Sequence, residues 1–363
     1  MLSPLANRGV TTVAERNAEE IVEQCRGALG DLLNADPGGV IFGRSMTSLT
    51  FDLSRTLSAT WRPGDEIVVS RLDHDANVRP WVIAAERAGA LVRWADFDPT
   101  TGELPTTNVE ALLSARTRLV AITAASNLIG TMPDVSAIAA LTHAVGALLY
   151  VDGVHYTAHH AVDVIDLGAD FYACSPYKFL GPHCGVVAGR PELLEDLHPD
   201  KLLPSTDRIP ERFELGTLPY ELMAGTTAAI EFLAGMAGES GNRRARLVTS
   251  MNALARHEDA LRDTIEAGLR RLPGATLYSR AGRRTPTLLT TFAGHDPGQI
   301  SASLADHGVN APAGTFYAYE PARRLGLDSA GGVRIGLAPY NDADDVARLL
   351  EGLADFFDQR STA

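Results

Sequence analysis

The chain has 363 residues, 45% of them hydrophobic, more than one hydrophobic core ordinarily holds, so two domains are expected. Its 32 Lys and Arg against 45 Asp and Glu leave a formal net charge of -13. That balance argues against nucleic acid or an anionic membrane as the main partner and favours a small soluble substrate.

Helix-like sequence starts near Thr12. The preceding stretch "MLSPLANRGV" has no basic segment followed by an apolar one, as a secretory signal would, and the chain reads as cytoplasmic. From there to about residue 190, short apolar runs alternate with segments long enough for a helix. The strand candidates are "GVIFG", "EIVVS", "ALVRWA", "RLVAIT", "ALLYVD", "DFYACS" and "GVVAG". This alternation predicts an α/β fold with a mostly parallel, doubly wound sheet, whose ligands sit at the carboxyl ends of the strands. The longest apolar stretch, "AIAALTHAVGALLYVDGV", is interrupted by Thr142, His143 and Asp152 and reads as a helix running into a buried strand, not a membrane span. After about residue 240 a long charged helix is followed by short strands such as "TLLTTFA" and "VRIGLA" and a closing helix, "DADDVARLLEGLADFFDQ". The expected division is a large domain over residues 12–238 and a smaller α+β domain over 239–363. Residues 1–11 are expected beside the small domain or disordered.

Lys178 stands in "DFYACSPYKFLGPHCG", just past a strand end. Alone it reads as a packed stem with a solvated ammonium. Ser175 three residues before it and "GPHCG" after it bring a hydroxyl, backbone amides and an amine toward one ligand, which suits a phosphorylated aldehyde. Such a site also needs an anion beside the pyridine nitrogen, and Asp152, at the end of "ALLYVD", is the candidate; its other reading is a turn or helix cap. His155, in "DGVH", is placed to hydrogen-bond the cofactor's phenolic oxygen. "GVIFGRSMT" lacks the G-x-G-x-x-G spacing of a dinucleotide site.

The stretch "YVDGVHYTAHHAVDVIDLGADFYACSPYKFLGPHCG" closely resembles the cofactor-binding segment of the class V aminotransferases, fold-type I pyridoxal phosphate enzymes that include the cysteine desulfurases. The resemblance implies pyridoxal 5'-phosphate as cofactor, with Lys178 as the residue that forms the internal aldimine and later moves protons. It implies Asp152 on the pyridine nitrogen, His155 where many relatives have Gln, and Ser175 on the phosphate. Tyr177 falls where desulfurases usually place a phosphate-binding His. "FGRSMTSLTF" resembles the family's phosphate-binding helix start, which implies the Met46 backbone and the Thr47 hydroxyl; read without it, Ser45, Thr47 and Ser48 are ordinary caps. "SRLDHDANVRPW" implies His74 over the cofactor ring, and "SNLIGT" implies Asn127 against the cofactor. "RFELGTLPY" implies that Gly216 and Thr217 reach the phosphate of a neighbouring subunit in a homodimer with shared active sites. "VRIGLAPYN" implies Arg334 on the substrate carboxylate.

Two departures from the desulfurase pattern stand out. In "GVNAPAGTFYAYE", Tyr317 falls at the position of the sulfur-accepting Cys, as a substrate-contacting residue unable to take sulfur, and Pro312 falls where a second substrate-binding Arg is common. Cys25, Cys174 and Cys184 are too few and unpatterned for a disulfide framework or a zinc cluster, so no metal is expected; Cys184 and Cys174 read as packing. The expected function is a transferase or lyase of the desulfurase-like branch, acting on a small L-amino acid through carbon–sulfur chemistry. Its alternatives are an aminotransferase of the same family and a catalytically inactive cofactor-binding or regulatory partner.

Overall fold

The computed structural model of the chain describes residues 4–361 apart from Glu239 and Asp328. Seven strands form one sheet: β1 (Val40–Gly43), β2 (Glu66–Ser70), β3 (Leu91–Ala95), β4 (Thr117–Thr123), β5 (Leu148–Asp152), β6 (Phe171–Cys174) and β7 (Gly185–Gly189). They lie in the order β1-β7-β6-β5-β4-β2-β3. The pairs from β3 through β6 are parallel, while β7 runs antiparallel to both β6 and β1. The sheet is thus mostly parallel, with helices on both faces, as the alternation predicts. The reversal at β7 is not visible in its apolar sequence. It follows from the short connection out of β6, Ser175 to Cys184, because a parallel return needs a crossover of about a dozen residues or more.

Side-chain alternation divides the strands between two cores. Val68, Val120, Ile122, Leu149, Val151, Tyr172 and Cys174 face one side, with helices Val13–Leu33, Val135–Ala144 and Tyr220–Gly235 packed there. Ile67, Val69, Leu119, Ala121, Tyr150, Phe171 and Ala173 face the other, under helices Met46–Ser58 and Arg79–Ala88. Burial on both faces is why these strands read as continuous apolar runs, each fully buried large side chain contributing roughly 1.5–3 kcal/mol.

The remaining strands are β8 (Ala275–Leu277), β9 (Thr287–Phe292), β10 (Ala313–Gly314) and β11 (Gly332–Gly336), a four-stranded antiparallel sheet in the order β10-β11-β9-β8. Leu288, Val333 and Ile335 pack with Ile265, Ile300, Leu304, Leu349 and Leu353 from helices Arg243–Leu269, Pro297–Asp306 and Ala343–Ser361. β8 and β10 are too short to show a period and were not foreseen. The two sheets are stitched together where Met132 N–H donates to the Arg283 carbonyl and Thr285 N–H to that of Gly130, each at 2.9 Å.

The first helix begins where expected, with Thr12 and Glu15 forming a reciprocal cap. The segment before it packs against the large sheet's unit, not the smaller one: Arg8 pairs with Glu19 at 2.6 Å and Glu211 at 2.9 Å, drawn there by two carboxylates. Residues 1–3 of that segment and the expected boundary residue Glu239 lie outside the described residues.

Gly185 permits the approach on which the helix Met46–Ser58 depends. A Cβ there would stand 2.1 Å from the Ser45 carbonyl carbon and 2.2 Å from the Met46 nitrogen. Gly185→Ala is expected to cost about 1–3 kcal/mol in urea unfolding by forcing the helix start outward. A variant as stable as wild type would show that this approach is not constrained.

Candidate active site

Because β2, β4, β5 and β6 are parallel, the residues that follow them gather along one edge of the sheet: His74 after β2, Asn127 after β4, Asp152 and His155 at the end of β5, and Ser175 and Lys178 after β6.

Asp152 is 4% exposed, and its Oδ1 accepts the Val154 N–H at 2.9 Å. Burial pushes its pKa up from 3.8 to about 6, against the opposing pull of that hydrogen bond and of the Lys178 charge. Lys178 is exposed in the cleft. Its pKa is lowered, first by loss of water around the ammonium and then by the Arg334 guanidinium, while Asp152 raises it. His74 accepts the Ala76 N–H on Nδ1 at 3.0 Å, and burial followed by the Lys178 charge takes its pKa down to about 4, so the ring is neutral. His155 is also held neutral, chiefly by burial. Its Nε2 faces Thr285 and Thr287 at 2.9 and 3.0 Å.

The second sheet closes the cleft. Arg334, on β11, donates to the Asn127 carbonyl at 3.0 Å, and its guanidinium carbon lies 3.8 Å from the Phe316 ring centroid. Among the described residues it has no carboxylate partner, and burial lowers its pKa. Asn127 Nδ2 donates to the Phe316 carbonyl at 2.9 Å, and Asp75 N–H to that of Tyr317 at 2.9 Å. These bonds hold Phe316 and Tyr317 in left-handed backbone, φ 55° and 57°, with the Tyr317 ring 5.8 Å from that of His74. Tyr177 stacks on His183 at 4.8 Å, and the Lys178 ammonium lies 5.3 Å from the Tyr177 ring.

Contacts thus join His74, Asn127, Tyr317 and Arg334, and electrostatic coupling joins Lys178, Asp152 and His155 to them. Gly216 and Thr217 are exposed on the loop before helix Tyr220–Gly235, and no hydrogen bond joins them to the others among the described residues. Phe316, Thr285, Thr287 and Asp73 went unread. Asp73 is wholly buried, accepts from Ser70 Oγ and, at 2.7 Å, from Asn77 Nδ2, and burial with the Asp152 charge pushes it up to about 8. Its signal was its place beside His74 in "LDHDAN".

The residues fit pyridoxal phosphate. A buried carboxylate with no ion pair among the described residues suits a protonated ring nitrogen, and a neutral His74 suits a ring face. Ser45 Oγ caps the Ser48 N–H, which leaves the first-turn amides of Met46 and Thr47 for a phosphate, with Ser175 at the next strand end. The Asn127 Oδ1 is buried and lacks a hydrogen-bond partner among the described residues.

The family model "Aminotransferase class-V" matches residues 3–349. The chain belongs to the class V aminotransferase family. This class V enzyme is pyridoxal phosphate-dependent. It is 35% identical, over 95% of its own length and 88% of the relative's, to the uncharacterized protein MT3887 of Mycobacterium tuberculosis. It is 31% identical to the aminotransferase-like protein FGM3 of Gibberella zeae, over 95% of its length and 85% of the relative's. Against the cysteine desulfurase of Dickeya dadantii it is 30% identical, over 96% and 84%. The crystal structure of the cysteine desulfurase CsdA from Escherichia coli superposes with a TM-score of 0.86 at 27% identity, covering 98% of this chain and 88% of that one. No helix among the described residues is long and apolar enough to cross a membrane.

Asp152 stores instability in the cofactor-free protein. Its folded pKa lies above its unfolded value, so stability is full below pH 4 and falls as pH rises through about 6, by about 3 kcal/mol in all. Asp152→Asn should therefore stabilise the cofactor-free protein by up to this amount at pH 8 and hardly at all at pH 4, read from urea melts. A destabilised variant at pH 8 would contradict the assigned pKa.

Proposed function

We propose that this family member is a carbon–sulfur lyase: it takes a small L-amino acid with sulfur on the β-carbon, cysteine or a cysteine conjugate, and eliminates the sulfur group. The observation that carries the reading is the state of the thiols. Cys25 and Cys174 are 0% exposed and Cys184 is 1% exposed. Burial raises the pKa of all three, that of Cys25 to about 12. No thiolate in the described chain is ready to accept sulfur, and the exposed side chain facing His74 is Tyr317, which cannot.

Pyridoxal phosphate supplies an aldehyde that takes up amines and a protonated ring that draws in the charge left by a departing proton. Asp152 would pair with the ring nitrogen and favour its protonated form. His74 would lie against the ring, and the Met46 amide, Thr47 and Ser175 would hold the phosphate, with Tyr177 beside them. Asn127 and His155 would offer hydrogen bonds to the ring's polar groups. Arg334, already desolvated against Phe316, takes the substrate carboxylate through two parallel bonds. Lys178, its pKa lowered, accepts the α-proton. Tyr317 bounds the mouth, its phenol a proton donor for the departing sulfur.

Residues 12–238 act as the cofactor-binding domain and 239–363 as the smaller one. Gly216 and Thr217 reach the phosphate of a second copy in a cytoplasmic homodimer. The exposure of Leu203 at 98%, Leu202 at 66% and Leu215 at 64%, next to that loop, supports an apolar partner surface.

Mass-spectrometric product analysis with L-cysteine and a thiol reductant, which would carry any transferred sulfur to sulfide, tests this. Elimination converts cysteine and water to pyruvate, ammonia and sulfide in equal amounts. Alanine with sulfide would overturn it in favour of desulfuration, and a sulfur-retaining keto acid in favour of transamination. Lys178→Ala should lower turnover by about 10²–10⁴-fold. Arg334→Lys should raise KM roughly ten- to a hundredfold with a smaller effect on kcat, since one of two charge-assisted bonds is lost.

A further inference from the structure

The smaller sheet presents two hydroxyls to a histidine of the larger sheet's loop. Thr287 opens β9 and is 2% exposed, and Thr285, two residues earlier, is 0% exposed. Both Oγ1 atoms converge on one atom, His155 Nε2, at 3.0 and 2.9 Å. His159 contacts the His155 ring edge-on, at 4.8 Å between centroids, and is itself fixed by its Nδ1 to the buried Glu258 carboxylate at 2.9 Å.

A neutral imidazole carries one N–H and one lone pair. The charged or titratable groups that face His155 are His159, Arg334, Lys178 and His160, and all four act with burial to keep it neutral. Suppose the N–H were on Nε2. Both threonines would then accept from it, and the Thr287 hydroxyl proton, whose one described hydrogen bond is to His155, would be buried without an acceptor. With the lone pair on Nε2 instead, Thr287 donates to it, and Thr285 has the Gly130 carbonyl at 3.4 Å as a second acceptor. Satisfying every buried hydroxyl therefore puts the histidine proton on Nδ1.

We propose that Thr287 and Thr285 are positioning residues that hold His155 in the Nδ1–H tautomer, so that its ring offers a donor to the cofactor's anionic phenolic oxygen. The Glu258–His159 pair fixes the ring's orientation. This rests on the reading that pyridoxal phosphate is bound beside Asp152.

A donor to an anionic oxygen favours the more negative protonation state, so removing it raises the pH at which the bound cofactor's visible absorbance titrates. The experiment loads wild type, Thr287→Val, Thr287→Ser and Thr285→Val with pyridoxal phosphate and follows that band against pH. Thr287→Val keeps the shape and loses the hydroxyl; its midpoint is expected to rise by roughly one pH unit, the size of a hydrogen bond to a charged group. Thr287→Ser should return it to the wild-type value. Should Thr287→Val not fold, Thr287→Ala carries the same test with the same sign, while Thr285→Val, which keeps Thr287 on Nε2, is expected near the wild-type midpoint. A wild-type midpoint in the variant that lacks the Thr287 hydroxyl, or a serine variant shifted as far as Thr287→Val, would overturn the proposal. A wild type that takes up no cofactor would overturn the functional reading and this proposal with it, whereas a titrating wild type with an unshifted Thr287→Val would overturn the tautomer alone.

Discussion

A carboxylate held out of water at the centre of a sheet edge is the constraint around which this molecule is arranged. Asp152 ends a strand flanked on both sides by others and buried on both faces, and its charge is supported by the Val154 N–H and then by an exposed lysine. On the opposite wall, Arg334 is a cation pressed on an aromatic ring with no carboxylate partner among the described residues. The protein alone thus holds an anion short of a cation and a cation short of an anion. A ligand with a protonated ring nitrogen answers the first, and a substrate carboxylate answers the second. Between them the lysine amine is shifted toward its neutral form, the state that can accept a proton.

The wall opposite Asp152 is built by the smaller sheet. In the register of β9 and β11, Arg334 lies opposite Leu289 and Gly336 opposite Thr287, so one pair of strands delivers both the carboxylate-binding cation and the hydroxyl on His155. The loop ahead of β11 is tied to the large sheet's loops by the Tyr317 and Phe316 carbonyls. Two successive aromatic residues in left-handed backbone cost of order 1–3 kcal/mol each, and those hydrogen bonds hold them there. A tyrosine fixed in this way beside His74 is suited to bounding a substrate and moving a proton, not to carrying sulfur away.

Every central strand was legible in the sequence because two-sided burial writes itself as an unbroken apolar run. Direction was not: β7 is as apolar as its neighbours, and the length of the turn before it decides its orientation. Asp152, Ser175 and Lys178 could be read because they are close in sequence and their residue types match one chemistry. Thr285 and Thr287 could not, since each meets His155 across more than a hundred residues, and Phe316 could not because it is ordinary in its own surroundings. Asp73 sat beside a noticed histidine and still passed unread, because full burial of a carboxylate leaves no local pattern.

The most direct measurement is the rise in melting temperature that pyridoxal phosphate produces at pH 8, in wild type and in Asp152→Asn. If the cofactor's ring supplies the cation that Asp152 lacks, wild type gains a large stabilisation and the variant loses most of it. Equal shifts in the two proteins would show that the buried carboxylate is not what the cofactor satisfies, and would contradict the account at its centre.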